Sequence, residues 1–145
     1  MFIGTVKERK THEYRVGLTP SCVAAYTSHG HTVYIEKGAG ANTGFEDEDY
    51  LRVGGKILST AEEVFAESDM IIKVKEPQPF EYDLFREGQI LYTYLHLAVS
   101  EDLTRALMKR KIKAVAYETI ELDDGRLPCL QPMSEIAGRL SVQEG

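Results

Sequence analysis

The amino-acid sequence predicts an α/β fold, a Rossmann-like (flavodoxin-like) parallel sheet with helices on both faces. Strand-like and helix-like segments alternate about five times along the chain, the pattern of a parallel sheet joined by right-handed crossovers. Two apolar runs, 69–75 and 89–96, read as strands buried on both faces. The 145 residues suffice for one domain with a real core. No internal repeat or low-complexity tract breaks the pattern.

Taken in order, residues 2–6 are a short apolar strand. Residues 7–17 are polar and aperiodic, a loop carrying Lys7, Glu8, Arg9, Lys10, His12, Glu13 and Arg15. Thr19-Pro20 opens a helix, with Thr19 as N-cap and proline at the first helical position, where its missing N–H is not needed. Val23, Tyr26 and Thr27 repeat at helical spacing, and Gly30 stops the helix. Residues 31–36 alternate into a strand around Val33 and Ile35. The loop Lys37-Gly-Ala-Gly-Ala-Asn-Thr-Gly44 then imitates a dinucleotide fingerprint. G-x-G-x-x-G would place glycine at 43, which is threonine; glycine arrives one position late. Four carboxylates follow in Phe45-Glu-Asp-Glu-Asp-Tyr50. They suit a helix N-terminus but repel pyrophosphate. The expectation is a turn into an acid-capped helix ending near Gly54-Gly55.

Residues 56–58 are a brief strand. Both Ser59-x-x-Glu62 and Thr60-x-x-Glu63 match a capping box, so a helix starts here and runs to about Ser68. Glu76-Pro77 stops the strand 70–74. Residues 82–87 form a helical turn ended by Gly88, and the strand 89–95 follows. Ser100 caps the next helix, with Leu103, Leu107 and Met108 as its apolar face. Lys109, Arg110 and Lys111 sit at its end, where the helix dipole favours cations. Residues 112–117 are a strand, and Asp123-Asp-Gly-Arg126 is a turn of the hairpin type. Pro132-Met-Ser-Glu135 leads into a last amphipathic helix, with Ser134 as cap and Ile136, Leu140 and Val142 on one face. That helix has barely begun when the sequence stops, so the chain reads as the first piece of a longer protein.

Charge and composition exclude some functions. The net charge of -6 argues against nucleic acid as the main partner, since phosphate binding wants a basic face. No apolar run is long enough to span a membrane. The N-terminus lacks the features of a signal peptide, so a cytoplasmic location is expected. Cys22 and Cys129 have no metal-ligand spacing and read as reduced, mostly buried thiols; no metal site is expected.

In an open α/β sheet, ligands bind outside the carboxyl ends of the strands. Lys75 and His96 end the two apolar runs and would face one crevice. Histidine titrates near neutrality and suits acid–base work, though a satisfied structural histidine fits the position equally. Lys75 is either paired with Glu76 or offered to an anionic ligand. Arg15 reads by composition as a solvated charge, yet a guanidinium suits bidentate carboxylate binding.

Several blocks together carry a family resemblance. They are Arg15-Val-Gly-Leu-Thr-Pro20, Lys37-Gly-Ala-Gly40 with Gly44-Phe45, Lys73-Val-Lys-Glu-Pro77, Phe85-Arg-Glu-Gly88, Tyr92-Thr-Tyr-Leu-His-Leu97, Ala116-Tyr-Glu-Thr119 and Pro132-Met-Ser-Glu-Ile-Ala-Gly-Arg139. In order and spacing the chain resembles the N-terminal, substrate-binding part of the bacterial alanine dehydrogenases. The resemblance implies reversible, NAD-dependent oxidative deamination of L-alanine to pyruvate and ammonium. It implies Arg15 and Lys75 as substrate-carboxylate ligands, His96 as the catalytic acid–base, and Met133 and Ser134 as cofactor contacts. It implies that 1–133 form the substrate domain and 134–145 open an interdomain helix, NAD being bound mainly by a domain beyond Gly145. A homo-oligomer, a hexamer in many members, is implied too. The chain departs from the family at Val6, where proline is usual, and at Gly17, where alanine is common. The alternatives are the N-terminal domain of a nucleotide transhydrogenase, which lacks the Lys75 and His96 blocks in this form, a more distant saccharopine dehydrogenase, and a non-catalytic carboxylate-binding domain.

Overall fold

Capping chemistry sets where the helices begin. At α1 (Pro20–Ser28) the Thr19 hydroxyl accepts the Cys22 N–H at 3.4 Å, and Gly30 follows with φ at 78°. At α2 (Asp47–Arg52) the first turn holds Asp47, Glu48 and Asp49. At α3 (Ala61–Glu67) Thr60 Oγ1 accepts the Glu63 N–H, while the Glu63 carboxylate reaches back to the N–H groups of Ser59 and Thr60. At α4 (Glu101–Arg110) Ser100 Oγ accepts the Leu103 N–H. This computed structural model describes residues 1–144, in two units, Met1–Val115 and the residues from Ala116 onward.

In the first unit the apolar runs become one sheet. Its strands are β1 (Phe2–Thr5), β2 (Thr32–Glu36), β3 (Lys56–Leu58), β4 (Met70–Ile72), β5 (Ile90–Thr93) and β6 (Lys113–Ala116), in the order β3-β2-β1-β4-β5-β6. The β1–β2, β1–β4, β2–β3 and β4–β5 pairs are parallel. This is the Rossmann strand order, the one of the two doubly wound orders left open by the sequence that the chain adopts. Ile3, Val33 and Ile35 pack with Val23 of α1 and Tyr50 of α2 on one face. The other face meets α3. A Cβ on Gly4 would lie 2.7 Å from Val64 Cγ1, so only glycine lets α3 sit this close to β1.

The strands β4 and β5 are shorter than expected. β4 ends at Ile72 and β5 at Thr93, so Lys75 and His96 lie in the turns beyond rather than at strand ends. The ladder fades through single bonds, Lys73 N–H to Tyr92 O at 3.1 Å and Tyr94 N–H to Val74 O at 3.2 Å. Met108 is 72% exposed and is not part of the apolar face. Five residues on from Leu103 it lies about 140° round the helix. Cys22 is exposed, on the solvent side of α1 beside buried Val23, and is not the buried thiol expected. No helix among the described residues is long and apolar enough to cross a membrane.

The second unit holds a 3-10 turn at Tyr117–Thr119 and the helix α5 (Gln131–Glu144). Between them Gly125, with φ at 82°, closes a turn by donating to Leu122 O at 2.8 Å. No strands flank that turn among the described residues. Ser134 is not the helix cap. α5 starts at Gln131, before Pro132, and the Ser134 N–H already donates to Leu130 O at 3.1 Å.

Candidate functional site

The crossovers reverse direction between β1 and β4, the switch point where open α/β sheets bind ligands beyond the carboxyl ends of their strands. The loop of residues 6–19 fills that switch point. Lys7 and Val16 bridge its two limbs. Buried Glu36, at the end of β2, accepts the Lys7 N–H at 2.8 Å and pairs with Arg9. The Tyr50 hydroxyl donates to Leu18 O at 2.9 Å, and burial among acids pushes its pKa up to about 12. A Cβ on Gly17 would stand 2.5 Å from the Ile72 carbonyl oxygen, a close approach that suits the glycine found here. The charged loop is therefore pinned to β2, α2 and β4.

Arg15 lies on this loop. Its Nε donates to Glu13 Oε1 at 2.8 Å and its Nη2 to Glu13 Oε2 at 2.6 Å. That pairing holds the Glu13 carboxyl below the usual carboxylate range and keeps Arg15 charged. Lys75 lies on the turn after β4. Its N–H donates to Glu8 Oε1 at 3.4 Å, beside the Val74 N–H at 2.6 Å, and its carbonyl accepts the Thr93 hydroxyl at 3.0 Å. Glu76, the partner the sequence offers Lys75, pairs with Lys10 instead. His96 follows β5 with φ at 49° and ψ at 40°, a left-handed conformation costly for a residue with a Cβ. Its ring stacks on Tyr94 at 6.3 Å and 16°. It also borders a cavity of about 250 Å³ shared with Glu76, Tyr82, Asp102 and Leu103.

These three residues share neighbours. The charge of Lys75 acts on Glu13, which grips Arg15, and Arg15 interacts with Tyr94, on which His96 stacks. Arg15, Lys75 and His96 lie on the connections that follow β1, β4 and β5, and the cavity that His96 borders is lined by neither Arg15 nor Lys75. Met133 and Ser134 belong to the second unit, on exposed positions of α5.

Sequence reasoning missed the ions beneath Lys75. Lys73 is fully buried, donates to Glu81 Oε1 at 2.7 Å and faces Glu8 Oε2 at 3.6 Å. Burial pushes the Glu8 carboxyl up, and the Lys73 ammonium pulls it part of the way back. One signal was present: a lysine directly after Met-Ile-Ile, inside an apolar run, needs a buried partner.

The residues of the first unit do not suit a dinucleotide. The α1 N-terminus has proline at its first position and a Thr19 hydroxyl on the Cys22 N–H. In the glycine loop the Gly38 N–H donates to Asp47 Oδ1 at 2.8 Å, and the acids of α2 follow. Glu36 stands where a ribose-binding acid would end β2, but it is spent on Lys7 and Arg9. The glycine loop is thus the acid-capped turn expected. Ser134 offers an exposed hydroxyl and Met133 a thioether, which suit contact with one edge of a nicotinamide nucleotide and no more.

A family model described as alanine dehydrogenase/PNT, N-terminal domain, matches residues 4–137. The alanine dehydrogenase of Methanococcus maripaludis is 57% identical over 145 residues, 100% of this chain and 39% of that protein. That of Staphylococcus saprophyticus is 52% identical over the same length, again 39% of the relative. The chain therefore spans about two fifths of the length of the curated relatives it matches. Among solved structures, an L-alanine dehydrogenase superposes with a TM-score of 0.95 at 51% identity, over 100% of this chain and 40% of that one. A transhydrogenase from Sinorhizobium meliloti gives a TM-score of 0.76 at 25% identity, over 81% and 35%.

Proposed function

The chain belongs to the alanine dehydrogenase/PNT N-terminal domain family, and from that premise we propose that it is the substrate-binding part of an NAD-dependent alanine dehydrogenase. The reaction converts L-alanine, NAD⁺ and water to pyruvate, ammonium, NADH and a proton. The observation that carries this reading is the family likeness along the whole chain, with Arg15, Lys75 and His96 each lying on a connection beyond the carboxyl end of a strand, β1, β4 and β5. The higher likeness to alanine dehydrogenases than to the transhydrogenase favours it over the transhydrogenase alternative.

Arg15 and Lys75 hold the substrate carboxylate, two cations against one anion. His96 stands at the reacting carbon. It takes a proton from the attacking water as the carbinolamine forms and returns one as ammonia leaves, a role for which an imidazole is the commonest side chain. NAD supplies the hydride acceptor. Ser134 and Met133 would contact it from this chain, and the part of the relatives' length that this chain does not span would hold the rest. Residues 1–133 act as the substrate domain, and 134–145 open the helix that leads to the other. A cytoplasmic, hexameric enzyme is the form this reading expects.

The test is NAD reduction by L-alanine with the full-length protein. His96→Ala should lower turnover by about two to four orders of magnitude, the usual share of a general acid–base, while circular dichroism shows the fold intact. Full activity in that variant removes the role assigned to His96.

A further inference from the structure

We propose that Glu8 is a positioning residue for Lys75: its buried carboxylate, set against the Lys73–Glu81 ion pair, clamps the turn that carries the substrate-binding lysine. The proposal rests on the reading of Lys75 given above.

β4 ends at Ile72, and although the Val74 carbonyl still accepts the Tyr94 N–H, the Val74 and Lys75 N–H groups are taken up by a side chain instead of a strand. Glu8, from the loop after β1, accepts both through Oε1, at 2.6 Å and 3.4 Å. Its other oxygen faces Lys73 Nζ at 3.6 Å. Lys73 in turn donates to Glu81 Oε1 at 2.7 Å, and Glu81 Oε2 accepts the Gln78 N–H at 2.7 Å. One line of charges therefore ties together the β1 loop, the Lys75 turn and the 3-10 turn Pro79–Leu84. Glu8, Lys73 and Glu81 are all buried. Burying such ions is a poor route to stability, because apolar side chains of the same shape would serve as well. What ions supply and apolar groups cannot is a directed acceptor for two specific amides.

Two substitutions separate reach from charge. Glu8→Gln keeps an oxygen at the same reach and loses the charge; Glu8→Asp keeps the charge and falls one methylene short. Both are made in the full-length protein. The readouts are amide hydrogen exchange at Val74 and Lys75, and the KM values for pyruvate and NADH. A clamp predicts that Glu8→Asp speeds exchange at those two amides and raises the pyruvate KM, each by about tenfold, the loss of a hydrogen bond to a charged acceptor. The NADH KM should stay within about twofold, because neither amide touches the nucleotide, and Glu8→Gln should recover most of both effects. Unchanged exchange in Glu8→Asp overturns the clamp. Faster exchange with an unchanged pyruvate KM overturns the positioning role. Glu8→Gln worse than Glu8→Asp on both readouts means that charge rather than reach matters, and overturns it too. A wild type without alanine activity sinks the proposed function instead, and the exchange pattern then decides the clamp alone.

Discussion

His96 holds a backbone conformation that glycine would adopt without strain, with φ at 49° and ψ at 40°. A left-handed residue with a Cβ costs roughly 1–2 kcal/mol, and such strain tends to sit where geometry serves chemistry. His96→Gly should therefore keep or raise thermal stability, by up to about 1 kcal/mol, while turnover is lost. A variant both inactive and clearly less stable would show that the ring holds the fold. Two acids of the neighbouring loop carry opposite pH signatures. Glu13 is held low by Arg15, so its contribution to stability is present above its unfolded pKa and fades as pH falls through the folded one. Glu8 is pushed up by burial, so its contribution is full below its unfolded pKa and fades as pH rises through the folded one. Melting temperatures followed from about pH 3 to 7, the range in which carboxylates titrate, should separate them. Glu13→Gln should lose part of the acid-side slope, and Glu8→Gln should lose part of the decline toward neutrality. Slopes that change in the same sense in both variants would contradict these assignments.

At the scale of elements, β1 and α3 meet through a missing side chain. A Cβ on Gly4 would press on Val64 and on the Ser68 hydroxyl, so Gly4→Ala should cost about 1–3 kcal/mol as overpacking, read by denaturant melts. Thr60→Ala, which removes the α3 cap, should cost about 1 kcal/mol. An unaffected Gly4→Ala protein would mean that α3 rides further from the sheet. The caps were legible because they are local: Thr19, Thr60 and Ser100 each sit within three residues of the N–H they accept. Lys75 and His96 were legible as candidates because apolar runs mark strands, and strand ends mark the crevice. Glu8 was not. Its partner Val74 lies 66 residues away, and nothing in an alternation of lysines and glutamates tells a buried acid from a solvated one. Ser134 misled for the same local reason: a serine before an apolar stretch resembles a cap, and only the backbone shows the helix already running at Gln131.

At the scale of the whole molecule, the sheet has the strand order of a dinucleotide-binding fold with its nucleotide features redirected. In that fold the first βα connection is a tight glycine turn that aims a helix N-terminus at pyrophosphate. Here the connection is the charged loop of residues 6–19, and the helix it feeds begins with proline under a threonine cap. The acid at the end of β2 is committed to Lys7 and Arg9, and the glycine loop gives its Gly38 N–H to Asp47. The connections around the switch point carry Arg15 and Lys75 in place of a phosphate cradle, which is what the proposed role in binding a small carboxylate draws on. Residues 1–145 alone should accordingly show no NAD binding by calorimetry up to about 1 mM, an affinity of only about 4 kcal/mol, and no dehydrogenase activity. Binding tighter than about 10 μM, roughly 7 kcal/mol, would require a phosphate site that the committed donors of α1 and α2 do not supply. It would overturn the proposed assignment of substrate binding to this chain and of nucleotide binding to another domain.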